Sequence, residues 1–229
     1  MKSINLFRQK ILSFLAVAHI FIMLTLVSCA QQPKESKIGT SVKSLKIGII
    51  GSGNVGGTLG KKWSKAGYKV FFSSRHPEEL KDLVTSAGPN AQAGTIENAI
   101  KFADVVVLAV PYKAEAELSN KYKSFIGDKI LIDCDNAYSF RDGAVVADAK
   151  SEGVANYTQR NYFPKAKLIR AFNAVNASSV ASADANNKIA IPFATDDPKL
   201  KSVAEELIIA ADGIPKDGGS IKDSKSFDL

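Results

Sequence analysis

Along the chain, short apolar runs alternate with longer stretches in which apolar positions recur every three or four residues. Leu45–Ile50, Tyr68–Phe72, Asp104–Val110, Lys129–Asp133, Leu168–Phe172 and Ile189–Phe193 predict strands, and Ala91–Ala93 a weaker one. The unbroken β-branched run after Asp104 suits a parallel strand covered on both faces. Between these runs, Val55–Ala66, Pro77–Ala87, Thr95–Phe102, Ala114–Lys123 and Pro198–Ala211 have helical spacing. Gly67 stops the first helix, Pro77 opens the second, and Thr95 caps the third. Alternating strands and helices imply right-handed crossovers and an α/β fold built on a doubly wound parallel sheet. Ligands of such sheets lie beyond the carboxyl ends of the strands. The positions to inspect are therefore Gly51–Gly56, Ser73–His76, Ala109–Tyr112, Asp133–Ala137 and Phe172–Ala174.

The start of the chain follows another pattern. Lys2, Arg8 and Lys10 precede the almost wholly apolar stretch Ile11–Val27, the layout of an export signal over residues 1–28. Leu26-Val27-Ser28-Cys29 resembles the lipobox of bacterial lipoproteins, which implies cleavage, lipidation at Cys29 and a membrane-anchored protein of the bacterial cell envelope. The alternatives are an uncleaved signal anchor, or a start site placed too early and a cytoplasmic protein. Residues 29–44 read as a polar linker and 45–229 as the folded domain. Of 229 residues, 45% are hydrophobic and 23% charged, ordinary for a globular protein. The net charge of +7 includes no basic block interleaved with aromatics, so no nucleic-acid partner is expected. Of the two cysteines, Cys29 is the lipidation candidate, which leaves Cys134 as a buried structural thiol without a disulfide.

The chemistry sits at the strand ends. Gly51-Ser52-Gly53-Asn54-Val55-Gly56 is a G-x-G-x-x-G turn that follows a strand and opens a helix. Gly51 permits the tight turn, Gly53 lets a pyrophosphate approach the backbone, and Gly56 lets the helix pack on the strand. Free N–H groups at the helix start would receive the phosphates. This unit makes the domain Rossmann-type, with a small C-terminal extension. At the end of the next strand, an NAD site usually carries Asp or Glu; this chain has Ser73-Ser74-Arg75. Two hydroxyls and a guanidinium suit a 2′-phosphate, so NADP(H) is the expected cofactor. The alternative for Arg75 is a solvated loop residue. Two histidines, one of them in the leader, and no paired cysteines predict no metal site. Asp133 and Asp135 are read as strand-end hydrogen-bonding groups.

The glycine turn, Ser73-Ser74-Arg75, Leu108–Tyr112, Ile132–Asn136 and Ala171–Ala174 occur in the order found in NADP oxidoreductases dependent on coenzyme F420, and the chain resembles that family from about Leu45 to Ile221. It is also similar to the reductase half of membrane ferric reductases and to the first half of pyrroline-5-carboxylate reductases. The resemblance implies that Ser52, Asn54 and Val55 line the pyrophosphate, and that Ser73, Ser74 and Arg75 hold the 2′-phosphate. It further implies that Ala109, Val110 and Pro111 wall the nicotinamide ribose. Phe172, Asn173 and Ala174 would lie near the nicotinamide and a small-molecule hydride acceptor. That acceptor would be flat, flavin-like or deazaflavin-like, packed on Val110-Pro111 and Phe172–Ala174; alternatively Phe172 is a core residue. A homodimer is compatible with the family. Two departures are visible: Asp135-Asn136-Ala137 where the family tends to have Thr/Ser-Asn-Pro, and an end at Leu229 inside the family's last segment, which shortens a closing helix. Two functions follow as expectations: an NADP-dependent oxidoreductase, or a lipid-anchored dinucleotide-binding or structural protein without turnover.

Overall fold

The computed structural model describes residues 44–229; the leader, Cys29 and most of the linker lie outside the described residues. Eight strands form one sheet in the order β3-β2-β1-β4-β5-β6-β7-β8. They are β1 (Lys46–Ile50), β2 (Lys69–Ser73), β3 (Ala91–Gly94), β4 (Val105–Leu108), β5 (Ile130–Asp133), β6 (Lys167–Ala171), β7 (Ile189–Ala194) and β8 (Gly213–Asp217). The first six strands are parallel and follow the strand order of dinucleotide-binding sheets, with the reversal of winding between β1 and β4.

Helices α1 (Asn54–Lys65), α2 (Lys81–Ala87), α3 (Ile96–Phe102) and α4 (Glu115–Ile126) make the crossovers among the first five strands. Thr95 caps α3 as expected, its hydroxyl accepting from Asn98 N. The buried strands alternate between two cores. Val105 and Val107 of β4 face one side, with Ile47, Ile49 and Phe72, against Leu59 and Trp63 of α1. Val106 and Leu108 face the other, with Leu131 and Leu168, against Ile100 of α3 and Ile126 of α4. Both faces are covered, which is why β4 reads as one continuous apolar run.

Three expectations are corrected. The sheet is not parallel throughout: β7 runs antiparallel to β6, pairing Arg170 with Ala194 and Ala171 with Phe193. Residues 172–188 contain only the six-residue helix α8 (Ala177–Ser182). At about 9 Å long it is too short to carry the chain back along the sheet, so β7 starts at the end where β6 finishes. The strand expected to reach Val110 stops at Leu108; Ala109 N still donates to Ile50 O at 2.9 Å, and Val110 leaves the sheet. Finally, no element was expected between Asp133 and Leu168, where α5 (Ser139–Asp142), α6 (Val145–Glu152) and α7 (Val154–Asn161) form; α9 (Pro198–Ala210) matches, and β8 then extends the sheet. Helices of four to eight residues give two turns of periodicity at most, too few to distinguish them from loop.

Trp63 ties the layers together. Its side chain is fully buried, its indole N–H donates to Leu207 O of α9 at 2.8 Å, and its ring meets Phe172 edge-on at 5.8 Å. Trp63→Ala is expected to lower unfolding free energy by about 3–5 kcal/mol, because it opens a cavity and strips the Leu207 carbonyl of its donor. Denaturant titration followed by far-ultraviolet circular dichroism checks this; a loss below about 1 kcal/mol would contradict the bridging role.

Candidate cofactor site

The glycine turn lies where β1, α1 and β4 converge. Gly51 has φ +93°, and a Cβ there would come within 2.3 Å of Ala109 O. A Cβ on Gly56 would come within 2.1 Å of Gly51 O. Neither position tolerates a side chain, so β4 and α1 close tightly on the turn. Gly53 differs: a Cβ there would meet nothing within 4 Å. Packing does not require glycine at that position, but a ligand lying on the backbone would. Gly53 is also the N-cap of α1 and makes no side-chain capping bond, and no acidic residue follows in the first turn. The first N–H groups of a twelve-residue helix therefore face outward without a side-chain acceptor, an anion-binding arrangement.

The neighbouring strand end is divided. Ser52 Oγ donates to Ser73 O at 3.0 Å, which fastens the glycine turn to the end of β2. Ser73 corrects the sequence reading: it is fully buried and its hydroxyl donates to Ile49 O at 2.6 Å inside the sheet. Only Ser74 and Arg75 remain toward the open side. Ser74 Oγ accepts from His76 N at 2.8 Å, and Arg75 is exposed.

Beyond the turn lies a cavity of about 440 Å³. Asn54 and Val55 line it at the start of α1, Ala109, Val110 and Pro111 after β4, Cys134–Asn136 after β5, and Phe172, Asn173 and Val175–Ala177 after β6. The structure thus brings Asn54, Val55, Ala109, Val110, Pro111 and Asn173 together as expected. Ala174 is not in the wall. Phe172, 2% exposed and packed on Trp63, adopts the left-handed conformation at φ 67°, and the turn it starts continues the wall with Val175 instead. Asn173 lines the cavity but its amide nitrogen donates to Phe227 O at 3.0 Å, so that donor is committed to the C-terminal segment. Tyr138 and Arg141 were missed; they belong to α5 and the residue before it.

A buried ionic cluster supports this wall. Arg170 of β6 is fully buried; it lies 2.9 Å from Asp133 Oδ2 and 2.7 Å from Asp228 Oδ1, and donates to Asp135 O at 2.5 Å. Asp133 accepts from Asp135 N at 2.9 Å, in keeping with the strand-end role expected of it. Asp135 Oδ1 accepts from Val110 N at 2.8 Å, the N–H that left the sheet after Leu108. The carboxylate that departs from the family pattern therefore positions the cofactor-side wall. Glu115, fully buried, accepts from Thr158 Oγ1 at 2.7 Å. Oxygens of Glu115, Asp133 and Asp135 all lie within 4.8 Å of one another, and Glu115 Oε1 and Asp135 Oδ2 have no hydrogen-bond partner. A cation could use that spacing, but Arg170 already neutralises one charge. Burial, then mutual repulsion, holds Glu115 and Asp135 well above the usual carboxylate range; burial also raises Asp133, against the pull of Arg170. The cluster is therefore stable with protons on it. Burial likewise pushes the Cys134 thiol up, which agrees with a structural thiol.

Residues 46–137 match the model of the family described as NADP oxidoreductase, coenzyme F420-dependent. The chain is 24% identical over 201 residues to Metalloreductase STEAP3 of Rattus norvegicus, covering 88% of this chain and 38% of that one. It is 26% identical over 188 residues to the F420-dependent NADP reductase of Methanothermobacter thermautotrophicus, covering 76% and 80%. A D-2-hydroxyacid dehydrogenase (NAD(+)) of Clostridioides difficile matches over 52% of this chain and 31% of its own length, at 27% identity. The chain therefore spans less than two fifths of the rat and clostridial proteins. Among solved structures, one from Arthrobacter sp. fb24, provisionally assigned as an F420-dependent NADP reductase, has a TM-score of 0.67 at 22% identity over 80% of this chain and 88% of its own. An imine reductase from Myxococcus stipitatus has a TM-score of 0.60 at 15% identity, over 80% and 57%. These two likenesses establish the fold.

The carboxyl cluster sets a pH dependence. Groups whose pKa is raised on folding bind more protons in the native state, so stability falls as pH climbs from the unfolded carboxylate range toward the raised values. Wild-type stability is expected to decline as pH rises above the unfolded carboxylate range near pH 4 to 5, and Glu115→Gln to flatten that decline. Denaturant midpoints measured across this range check it; an unchanged slope in the variant, or stability rising with pH, would overturn the assignment.

Proposed function

We propose that the chain is an NADP(H)-dependent oxidoreductase that passes a hydride between the nicotinamide and a small acceptor held in the cleft. The observation that carries this reading is the open space at Gly53 over the uncapped start of α1, inside a turn whose other glycines are fixed by packing. The cofactor is NADP(H), and when bound it supplies the hydride; NADPH, a proton and the oxidised acceptor give NADP+ and the reduced acceptor. Backbone N–H groups of Gly53–Val55 hold the pyrophosphate. Ser74 and Arg75 hold the 2′-phosphate, Arg75 through a charge-assisted fork. Ala109, Val110 and Pro111 exclude water beside the nicotinamide ribose, and Asp135 fixes their backbone through Val110 N. Val55 and Phe172 contribute apolar surface for the acceptor.

NADPH is expected to bind more tightly than NADH. Arg75→Ala should weaken NADPH binding by roughly tenfold to 150-fold and leave NADH nearly unchanged. Isothermal titration with both dinucleotides tests this, and equal losses for the two would remove Arg75 from the phosphate. A wild-type protein that binds neither dinucleotide would overturn the function itself.

We also propose that Cys29 is lipidated and holds the domain at a membrane. The support is the basic, apolar, Leu26-Val27-Ser28-Cys29 progression. No helix among the described residues is long and apolar enough to cross a membrane. Cys29→Ser should shift the protein to the soluble fraction or leave the precursor uncleaved. A variant that fractionates and migrates as wild type does would exclude the anchor.

A further inference from the structure

We propose that the end of the sheet where the parallel strands start, opposite the cleft, is the face the domain lays on a membrane, and that it meets an anionic lipid surface there. The inference rests on the lipidation proposed at Cys29 and adds the orientation of the domain and the chemistry of the surface it touches. β1 begins at Lys46 and ends at Ile50, and the glycine turn follows at Gly51. Chain continuity therefore brings the linker to the end where β1 starts, about 16 Å of strand away from the end that carries the turn. As a flexible coil the linker spans roughly 20 Å. A domain of this size has a diameter on the order of 40 Å. A lipid at Cys29 thus holds the strand-start end close to the bilayer and leaves the cleft end far from it.

That end is basic. Along β2-β1-β4-β5-β6, four of the five strands begin at a lysine or directly after one: Lys69, Lys46, Lys129 and Lys167. The row is continuous. Lys46 pairs with Lys69 across β1 and β2, Lys129 Nζ donates to Ala103 O at 2.7 Å just before β4, and Lys167 N donates to Lys129 O at 3.0 Å. Lys101, in the last turn of α3, continues it; its ammonium lies 5.6 Å from the ring of Phe125, which is 44% exposed near the end of α4. The acids in contact with the row are Asp104, which accepts from Lys46 N at 2.9 Å, Asp128, 3.9 Å from Lys167, and Glu97, 2.5 Å from Lys101. Lys65, in the last turn of α1, and Lys165, just before β6, are exposed beside it, so cations outnumber acids. The linker keeps the same sign up to β1, with Lys34, Lys37 and Lys43 against Glu35. Anionic headgroups attract each ammonium, and the attraction fades beyond a Debye length, so it acts on the end that the lipid already holds close. Phe125 adds an apolar ring at headgroup depth. In this orientation the cleft opens away from the bilayer, and cofactor and acceptor reach it from the aqueous side.

Energy transfer from the protein to the bilayer tests the orientation. The full lipidated chain is placed in phosphatidylcholine vesicles with or without phosphatidylglycerol and labelled with a neutral dye at Asp128→Cys or at Glu78→Cys. These side chains are 87% and 69% exposed, and Cys134 is buried and stays unlabelled. Asp128 lies just before β5 at the strand-start end, and Glu78 lies after β2 at the cleft end. Transfer to a headgroup acceptor should be stronger from position 128 than from position 78 in phosphatidylglycerol vesicles. The difference should shrink without phosphatidylglycerol and at high salt. Each lysine near an anionic surface changes such an equilibrium by about fivefold. Lys69→Gln combined with Lys167→Gln should therefore reduce the oriented population by about 25-fold, the two Arg replacements should preserve it, and NADPH affinity should not change. Equal transfer from both positions, stronger transfer from position 78, or no response to phosphatidylglycerol would overturn the proposal. So would a Gln double variant with unchanged transfer whose only defect is in binding duplex DNA or in self-association. A wild type that does not float with the vesicles, read by flotation, counts first against lipidation at Cys29 and removes the orientation with it.

Discussion

Arg170 holds together the part of the molecule on which the cleft is built. A guanidinium with no solvent exposure sits at the end of β6 and contacts the end of β5 through Asp133 and the Asp135 carbonyl, and the C-terminal segment through Asp228. A buried cation without partners is costly, and so are buried carboxylates without a cation. Each partner is therefore constrained by the others. Removing Arg170 would leave Asp133, Asp135 and Glu115 buried together without their positive charge. The constraint reaches the cofactor wall through one further bond, from Val110 N to Asp135.

That bond shows how the sheet and the site are coupled. A parallel strand at its carboxyl end must release its backbone N–H groups, and each must find an acceptor. After β4 the acceptor is a carboxylate held at the end of the next strand by Asp133 and Arg170. The wall at Ala109–Pro111 is thus set by a last backbone bond, from Ala109 N to Ile50 O, and then by the Asp135 carboxylate. On the other side, the glycine turn is set by sterics: Gly51 and Gly56 leave no room for a side chain between β1, β4 and α1. The glycine turn and the wall at Ala109–Pro111 line the same cavity. Asp142 joins α5 to the turn after β4.

The strand–helix alternation, the glycine turn, the cap at Thr95 and the buried thiol at Cys134 were all legible along the chain. Each depends on neighbours within a few residues: a period of two or 3.6, a dihedral only glycine adopts, a hydroxyl three residues from an N–H. The acceptor side was read less well. Ser73 looked like a donor because a hydroxyl at a strand end is chemically suited to phosphate, but its hydroxyl points into the sheet toward Ile49 O. Ala174 was placed in the wall by counting from the strand end, and the left-handed turn at Phe172 redirects that count. Tyr138 and Arg141 carried no signal because α5 has four residues and no period.

The sequence by itself determined the class of fold, the position of the dinucleotide turn and the absence of an acidic residue after β2, since these are local patterns of side-chain size, shape and charge. Tertiary structure alone decided the antiparallel seventh strand, because that follows from how far residues 172–188 can carry the chain. It also decided the raised pKa values of the carboxyl cluster, because Glu115 joins Asp133 and Asp135 only in the folded chain, and a carboxyl's charge depends on the water and cations around it in space.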